Sequence, residues 1–439
     1  MKRTLSARIS KWLERWFIVN DSEIPALIWS FLYFFCLLSA YYILRPFRDE
    51  MGIATGAENL QWLFTGTFIT TLAVVPVFGF ITKRYPRKKF LPGTYFFFIA
   101  NILVFFILFK IGVSILILAP IFFIWISVFN LFVVSVFWSF MVDIFTTEQS
   151  KRLFGIISAG GSAGAICGPA IAAFLVNAIG PVNLLLIAIG LLLMSVWCIK
   201  KLISQVQHEK KNHPVKLNNI DDRAIGGSIF AGVKSFFQSK YLMGIGAMVI
   251  FYTTVSTFLY FEQAHIVEET FNSSSSRTSY FALVDLITNT LAITAQFFLT
   301  GRIIKKFGLA IALALIPFLV MIGFSGLSLI TILPVLVVVQ VIHKAGNFSL
   351  LRPGREILFT LVSHEDRYKA KNFIDTVLYR GSDAVVGWAF AGLISFGLSL
   401  PVIALLVVPI AGLWSFTGFS LGNKKLKAQK TGEAKVLMT

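Results

Sequence analysis

Residues 24–50 read IPALIWSFLYFFCLLSAYYILRPFRDE. No charged side chain occurs from Ile24 to Leu44, and then Arg45, Arg48, Asp49 and Glu50 follow within six residues. A helix rises about 1.5 Å per residue, so roughly 20 apolar residues cross the hydrocarbon core of a bilayer. The first part of the stretch therefore reads as a transmembrane helix. Its end poses a second question, because an ionised side chain at membrane depth costs about 2.5–3.5 kcal/mol on insertion scales. Charges placed there face a water-filled pathway or pair inside the helix bundle.

The same pattern recurs along the chain. Further apolar runs fall at 61–82, 90–109, 114–144, 153–177 and 182–199, and then at 241–264, 279–300, 309–327, 330–350, 373–394 and 401–421. The composition agrees: 56% of the residues are hydrophobic, only 14% are charged, and 45 are Phe, more apolar surface and less charge than a soluble domain of this length carries. Alternation with a period of two over about ten residues, the mark of an outer-membrane barrel, is absent from the sequence.

The net charge of +18 sits in every second loop. Lys83, Arg84, Arg87, Lys88 and Lys89 follow the second span, and Lys151 and Arg152 follow the fourth. Lys200, Lys201, Lys210, Lys211 and Lys216 lie in the middle loop, Arg302, Lys305 and Lys306 follow the eighth span, and Arg367, Lys369 and Lys371 follow the tenth. The alternate loops at 180–183, 326–329 and 395–400 are short and uncharged. Basic residues mark the cytoplasmic side, so both termini are expected there. The high charge reports membrane topology, and no nucleic-acid partner is expected.

The spans divide six and six around a polar linker. The expected organisation is a basic amphipathic segment at 1–23 with Trp12, Trp16 and Phe17, a six-helix bundle at 24–199, and a cytoplasmic linker at 200–240. A second six-helix bundle at 241–421 and a basic tail at 422–439 complete it. The N-terminal segment reads as a retained anchor, because no cleavage pattern follows the first apolar run. Within the linker, Ile225, Ile229, Phe230, Val233, Phe236 and Phe237 recur at helical spacing and predict an amphipathic helix on the membrane surface. This is the layout of the major facilitator fold: an all-α membrane protein of 12 helices in two pseudo-symmetric halves, with binding near the midplane and alternating access. The loop after the second span, at 79–89, carries Gly and Arg where facilitators do, without the usual acidic member. On the fifth span Gly160, Gly164, Gly168 and Ala172 form a row of small residues, which lets a neighbouring helix approach closely. Cys36, Cys167 and Cys198 fall in apolar spans with no metal or disulfide spacing, so they read as packing residues.

The charges inside the spans are the candidates for chemistry. Most of the deeper ones are basic (Arg45, Arg48, Lys344, Arg355, Arg380), which points to an anionic solute. Arg suits phosphate because its planar fork donates two parallel hydrogen bonds. Arg45 and Arg48 could instead snorkel to the outer headgroups, and Arg380 and Asp383, three apart on one helix, could satisfy each other. Glu262 and Asp285 are candidate coupling or gating groups, Asp285 having Thr288 and Asn289 as alternative partners. Asp49, Arg355, Glu356, Asp375 and Asp383 are further coupling or gating candidates. Tyr41, Tyr42, Trp138, Tyr260 and Tyr379 could stack on a ring of the solute.

Several strings resemble the nucleotide translocase family, the ATP/ADP carriers of plastids and intracellular bacteria. They are Ser349-Leu350, Pro353, Arg355-Glu356, then Glu365, Lys369, Lys371, Ile374-Asp375 and Arg380-Gly381. Arg45 with Arg48-Asp49, Phe137-Trp138, the run from Glu148 to Phe154, and Glu262 match further family features. The resemblance implies nucleotide exchange or proton-coupled uptake, with Arg48 and Arg380 on the phosphates and Glu262 in a coupling role. The expected partners are thus a small anionic solute, a proton or a counter-exchanged nucleotide, and membrane lipid, in a bacterial inner membrane. A carrier of another anion, such as a siderophore or an amphipathic lipid-like molecule, remains the alternative. An enzyme is not expected, because His265 and His343 lie in separate spans without spaced carboxylates. No phosphate-binding loop that would power primary transport occurs in the sequence, and no cofactor is expected.

Overall fold

The computed structural model describes residues 20, 23–84, 87–212, 231–362, 370–371 and 373–431. The N-terminal Trp12, Trp16 and Phe17, the linker residues 213–230 and the motif residues Glu365 and Lys369 lie outside these, as do the side chains of the basic loop at 83–89. The described chain is helical. In order it forms α1 (Ile24–Ile53), α2 (Leu60–Arg84), α3 (Arg87–Lys110), α4 (Ile115–Ile144), α5 (Thr147–Ile179) and α6 (Leu184–Asn212). The short α7 (Ala231–Gln238) falls in the stretch expected to be amphipathic, with Phe236 buried and Phe237 exposed. Then come α8 (Lys240–Thr270), α9 (Ser274–Ala295), α10 (Gly301–Leu329), α11 (Leu333–Gly346), α12 (Tyr379–Ser395) and α13 (Leu400–Thr431).

Among the described residues, nine helical stretches are long and apolar enough to cross a membrane. One of them, Ser274–Leu329, contains Gly308 at φ +82°, a conformation that breaks the helix and separates two spans. With α2 and α12 added, the described helices accommodate the 12 spans expected from the sequence.

Among the described residues, three turns of π-helix interrupt the second half of the sequence. Gln296–Thr300 joins α9 to α10, Asn347–Leu351 joins α11 to a short helix at Arg352–Leu358, and Phe373–Leu378 leads into α12. The first two are tied together, the Thr300 hydroxyl donating to the Ser349 carbonyl at 2.7 Å. A π turn inserts an extra residue, rotates every later side chain about the helix axis and frees backbone carbonyls for such bonds.

The chain condenses into two compact units. The first comprises Met1–Met51, Val74–Ala224 and Ser273–Leu286. Its centre is the contact of α1 with α5. A Cβ added at Gly164 would stand 2.5 Å from the Phe35 carbonyl oxygen, and one at Gly168 would stand 2.6 Å from that of Ser39. The small-residue row therefore lies directly on the backbone of α1, as its spacing implies. Around it the rings of Phe34 and Phe137 stack at 4.0 Å, and the hydroxyls of Tyr33 and Tyr95 share a hydrogen bond of 2.5 Å.

The second unit comprises Gly52–Ala73, Ile225–Asn272 and Ile287–Thr439. In it α10 and α13 run close together, since a Cβ at Gly418 would stand 2.8 Å from the Leu313 carbonyl oxygen. The start of α2 is held here as well. Glu268 accepts the backbone N–H of Ala57 at 3.0 Å, Trp388 donates to Thr65 at 3.0 Å, and the rings of Trp62 and Trp388 meet edge to face at 4.6 Å.

At the mouth of the first unit, just outside the span of α1, Glu23 joins two helix starts. It accepts from both terminal nitrogens of Arg152 at 2.9 and 3.1 Å, from Gln149 at 3.0 Å and from the Asn20 backbone at 3.1 Å. Gln149 also closes a capping box with Thr146 at the start of α5. Burial pushes the Glu23 carboxyl up, but the hydrogen bonds from Arg152, Gln149 and Asn20 outweigh it and leave the group below its ordinary value of 4.5. A depressed carboxyl adds stability above its unfolded value and loses it as pH falls through its folded value. Glu23→Gln is therefore expected to lower the melting temperature in detergent at pH 7, with the gap to the parent closing as the pH is taken below about 4. A gap that stays constant with pH would show that the ionised carboxylate is not what holds the two helices.

Candidate functional site

In the first unit the end of α1 carries the charges. Arg48 donates from Nε to Asp49 Oδ1 at 3.0 Å, and a second nitrogen closes an ion pair on the same oxygen. Its Nη1 reaches the hydroxyl of Ser127 on α4 at 3.4 Å, and its guanidinium lies 4.7 Å from the centre of the Phe123 ring. One helical turn separates Phe123 from Ser127, whose hydroxyl also donates to the Phe123 carbonyl at 2.9 Å. Arg45 pairs with Asp285 of α9 at 3.5 Å. Thr288 and Asn289 lie close to Asp285 in sequence, whereas its ion-pair partner comes from a distant helix. Tyr41 is buried and packs edge-on against Tyr42 at 5.1 Å. Glu50, also buried, takes a hydrogen bond from the side chain of Ser274.

In the second unit Arg380 and Asp383 stand one turn apart on α12, 3.8 Å from each other, and Thr257 of α8 donates to Asp383 at 3.1 Å. The Arg380 side chain keeps 34% of its surface exposed, against 11% for Asp383. Its guanidinium lies 5.7 Å from the centre of the Tyr379 ring. Arg355 pairs with Asp375 at 2.9 Å, and Lys371 with Glu356 at 2.7 Å. Lys344 is half-buried on α11. Glu262 is fully buried on α8, and among the described residues neither carboxyl oxygen has a hydrogen-bond partner. Beside it in sequence, Gln263 accepts from Gln340 of α11 at 2.6 Å.

A single arrangement recurs. Arg45, Arg48, Arg355 and Arg380 each lie beside an aspartate, respectively Asp285, Asp49, Asp375 and Asp383. A buried pair is far cheaper to hold in lipid than a lone guanidinium. Chemically, each pair presents guanidinium N–H donors beside a carboxylate that compensates their charge. Sequence reasoning passed over Ser127 and Phe123, which hold Arg48, and Thr257, which holds Asp383. The cue for Ser127 was available, since it is the first hydroxyl of α4 and stands one turn before Asn130.

Comparisons with known proteins follow the same lines. Residues 26–349 match the family model of the Major Facilitator Superfamily, and the chain belongs to that family. Its fold is similar to that of a POT family transporter solved with 5-aminolevulinic acid, at a TM-score of 0.63 and 12% identity over 91% of this chain and 96% of that one. It is similar also to a bacterial homologue of the iron transporter ferroportin, at a TM-score of 0.61 and 12% identity over 90% and 99%. The nucleoside transporter NupG aligns at a TM-score of 0.58 and 11% identity over 92% and 99%. At the level of sequence, a stretch of 202 residues is 23% identical to ADP,ATP carrier protein 2 of Chlamydia pneumoniae, covering 40% of this chain and 37% of that protein. The chain thus spans little more than a third of the length of that curated relative. The protein is thus a member of the major facilitator superfamily with spans long and apolar enough to lie within a membrane.

Proposed function

We propose that the solute is an organic anion, a nucleotide or a related phosphorylated metabolite, moved by alternating access in a bacterial inner membrane. The observation that carries this reading is the pair Arg48 and Arg380, one in each unit. Each sits in a span beside an aromatic ring and beside an aspartate that neutralises it while no anion is bound. The local match to an ADP,ATP carrier and the strings around Pro353–Arg380 support the nucleotide. Arg48 supplies the phosphate contact of the first unit and Arg380 that of the second. Glu262 is the coupling group of this reading, since a carboxyl can carry a proton through a barrier that excludes its ion. The alternation of basic and uncharged loops supports cytoplasmic termini.

The test is thermal stabilisation of the purified protein in detergent across ATP, ADP, other nucleotides, phosphate and a panel of bulky organic anions. A ligand that binds only the folded state raises the melting temperature with occupancy. A nucleotide is expected to stabilise the parent, and the shift is expected to vanish in Arg48→Ala and Arg380→Ala. Losing one charge-assisted contact of about 1.5–3 kcal/mol weakens binding roughly ten- to a hundredfold. Stabilisation by a different anion and by no nucleotide would keep the anion site and change the cargo.

A further inference from the structure

Four spans of the second unit meet at a cluster of rings that the anion contacts do not use. Tyr252 of α8 lies parallel to His343 of α11, with ring centres 5.0 Å apart and planes 9° apart. Trp414 of α13 stands steeply inclined to both, at 5.9 Å from Tyr252 and 5.8 Å from His343. Tyr379 of α12 lies 6.0 Å from Tyr252, and Asn347 donates from Nδ2 to the Tyr252 hydroxyl at 3.0 Å. Two of the π turns set this arrangement. Asn347 opens the one after α11, and Tyr379 and Arg380 directly follow the one before α12.

The cluster is layered. His343 and Trp414 form a buried back wall, and they carry polar atoms there, His343 Nε2 and Trp414 Nε1, that find no hydrogen-bond partner among the described residues. Apolar rings would fill such a wall without stranding polar atoms, so packing alone does not account for these two residues. In front of them Tyr252 and Tyr379 are half-buried, and Tyr379 lies under the Arg380 guanidinium. The accessible edge of the ring cluster therefore adjoins a cation already assigned to phosphate.

We propose that Tyr252 and Tyr379, held by His343, Trp414 and Asn347, form a ring-recognition subsite, through which the carrier selects anions bearing a planar heteroaromatic ring over anions that lack one. This rests on the anion reading above. Stacking on aromatic side chains suits such selection, because every heteroaromatic base presents a π face.

The experiment measures affinity by thermal-shift titration of the full chain in detergent, with ATP, inorganic tripolyphosphate and adenosine. The parent is expected to bind ATP about tenfold more tightly than tripolyphosphate. In Tyr252→Leu and Tyr379→Leu that ratio falls toward one while tripolyphosphate binding is kept, and Tyr252→Phe retains the ratio. Arg380→Ala weakens both anions together. A parent with no preference, or tyrosine variants that keep it, overturns the proposal and leaves the anion reading intact. If neither anion stabilises the parent, the reading of Arg380 as a phosphate contact has failed, and adenosine decides the subsite: a shift that disappears in Tyr252→Leu upholds it, and no shift overturns it. Should Tyr252→Leu not fold, Tyr379→Leu carries the same comparison.

Discussion

Gly164→Leu is expected to abolish accumulation of folded protein in the membrane, and Gly168→Ala is expected to lower the melting temperature sharply. The reason is the seam between α1 and α5. A Cβ at Gly164 would lie 2.5 Å from the Phe35 carbonyl oxygen and 3.0 Å from the Ser39 nitrogen, and one at Gly168 would lie 2.6 Å from the Ser39 carbonyl oxygen. These are backbone atoms of a long helix, and they yield only if the two helices separate. In lipid no hydrophobic force presses helices together, so association rests on close van der Waals contact, and separation forfeits it. Overpacking alone costs about 1–3 kcal/mol, and a Leu side chain adds several atoms beyond the Cβ. Gly155 on the same helix supplies the control. A Cβ there meets nothing within 4 Å, so Gly155→Ala should leave stability unchanged or raise it by up to about 1 kcal/mol. Measuring folded yield and melting temperature of the three variants by size exclusion and thermal melt checks the seam. Equal behaviour of Gly155→Ala and Gly168→Ala would show that the helices do not touch along this row.

The second large effect belongs to Arg45 and Asp285. The pair joins α1 to α9, and the two side chains keep 18% and 4% of their surface exposed. Breaking a buried pair from one side strands the other charge at a cost of about 3–5 kcal/mol, whereas replacing both partners by apolar side chains is often neutral. Arg45→Met alone is therefore expected to destabilise the protein strongly, and Asp285→Leu alone to do the same. The double variant should regain most of the loss. Melting the two single variants and the double variant as a cycle reads the coupling directly. Additive losses would mean that the two side chains act independently.

Legibility from the sequence followed the range of the forces involved. The spans were plain, because about 20 apolar residues leave few alternatives in a chain with so little charge. The seam was plain as well, since small residues four apart face one way on any helix. The Arg380–Asp383 pair, one turn apart, followed from the same geometry. Partners distant in sequence were hidden. Nothing local to Asp285 names Arg45, and nothing near Arg48 names Ser127. The aromatic cluster was hidden for another reason. In a membrane bundle the lipid-facing and core-facing surfaces are both apolar, so the period of a span does not tell which aromatic residues meet. Tyr252, His343 and Trp414 stand among many rings, and the π turns that align Asn347 and Tyr379 with them have no signature in residue type. Of the cluster's aromatic residues only Tyr379 stands among the ring-stacking candidates of the sequence, beside Tyr41, Tyr42, Trp138 and Tyr260.

Exchange in proteoliposomes tests the transport of an organic anion most directly. Purified protein is reconstituted with ATP or ADP inside, and uptake of labelled ATP is followed against empty vesicles. Uptake is expected to rise with internal nucleotide, and it should fall to background in Arg48→Ala and Arg380→Ala reconstituted at equal amounts and with unchanged melting behaviour. If the folded parent moves neither nucleotides nor any other phosphorylated anion, yet carries an uncharged solute at a rate those two substitutions leave untouched, then the arginines are structural pairs and the anion reading is wrong.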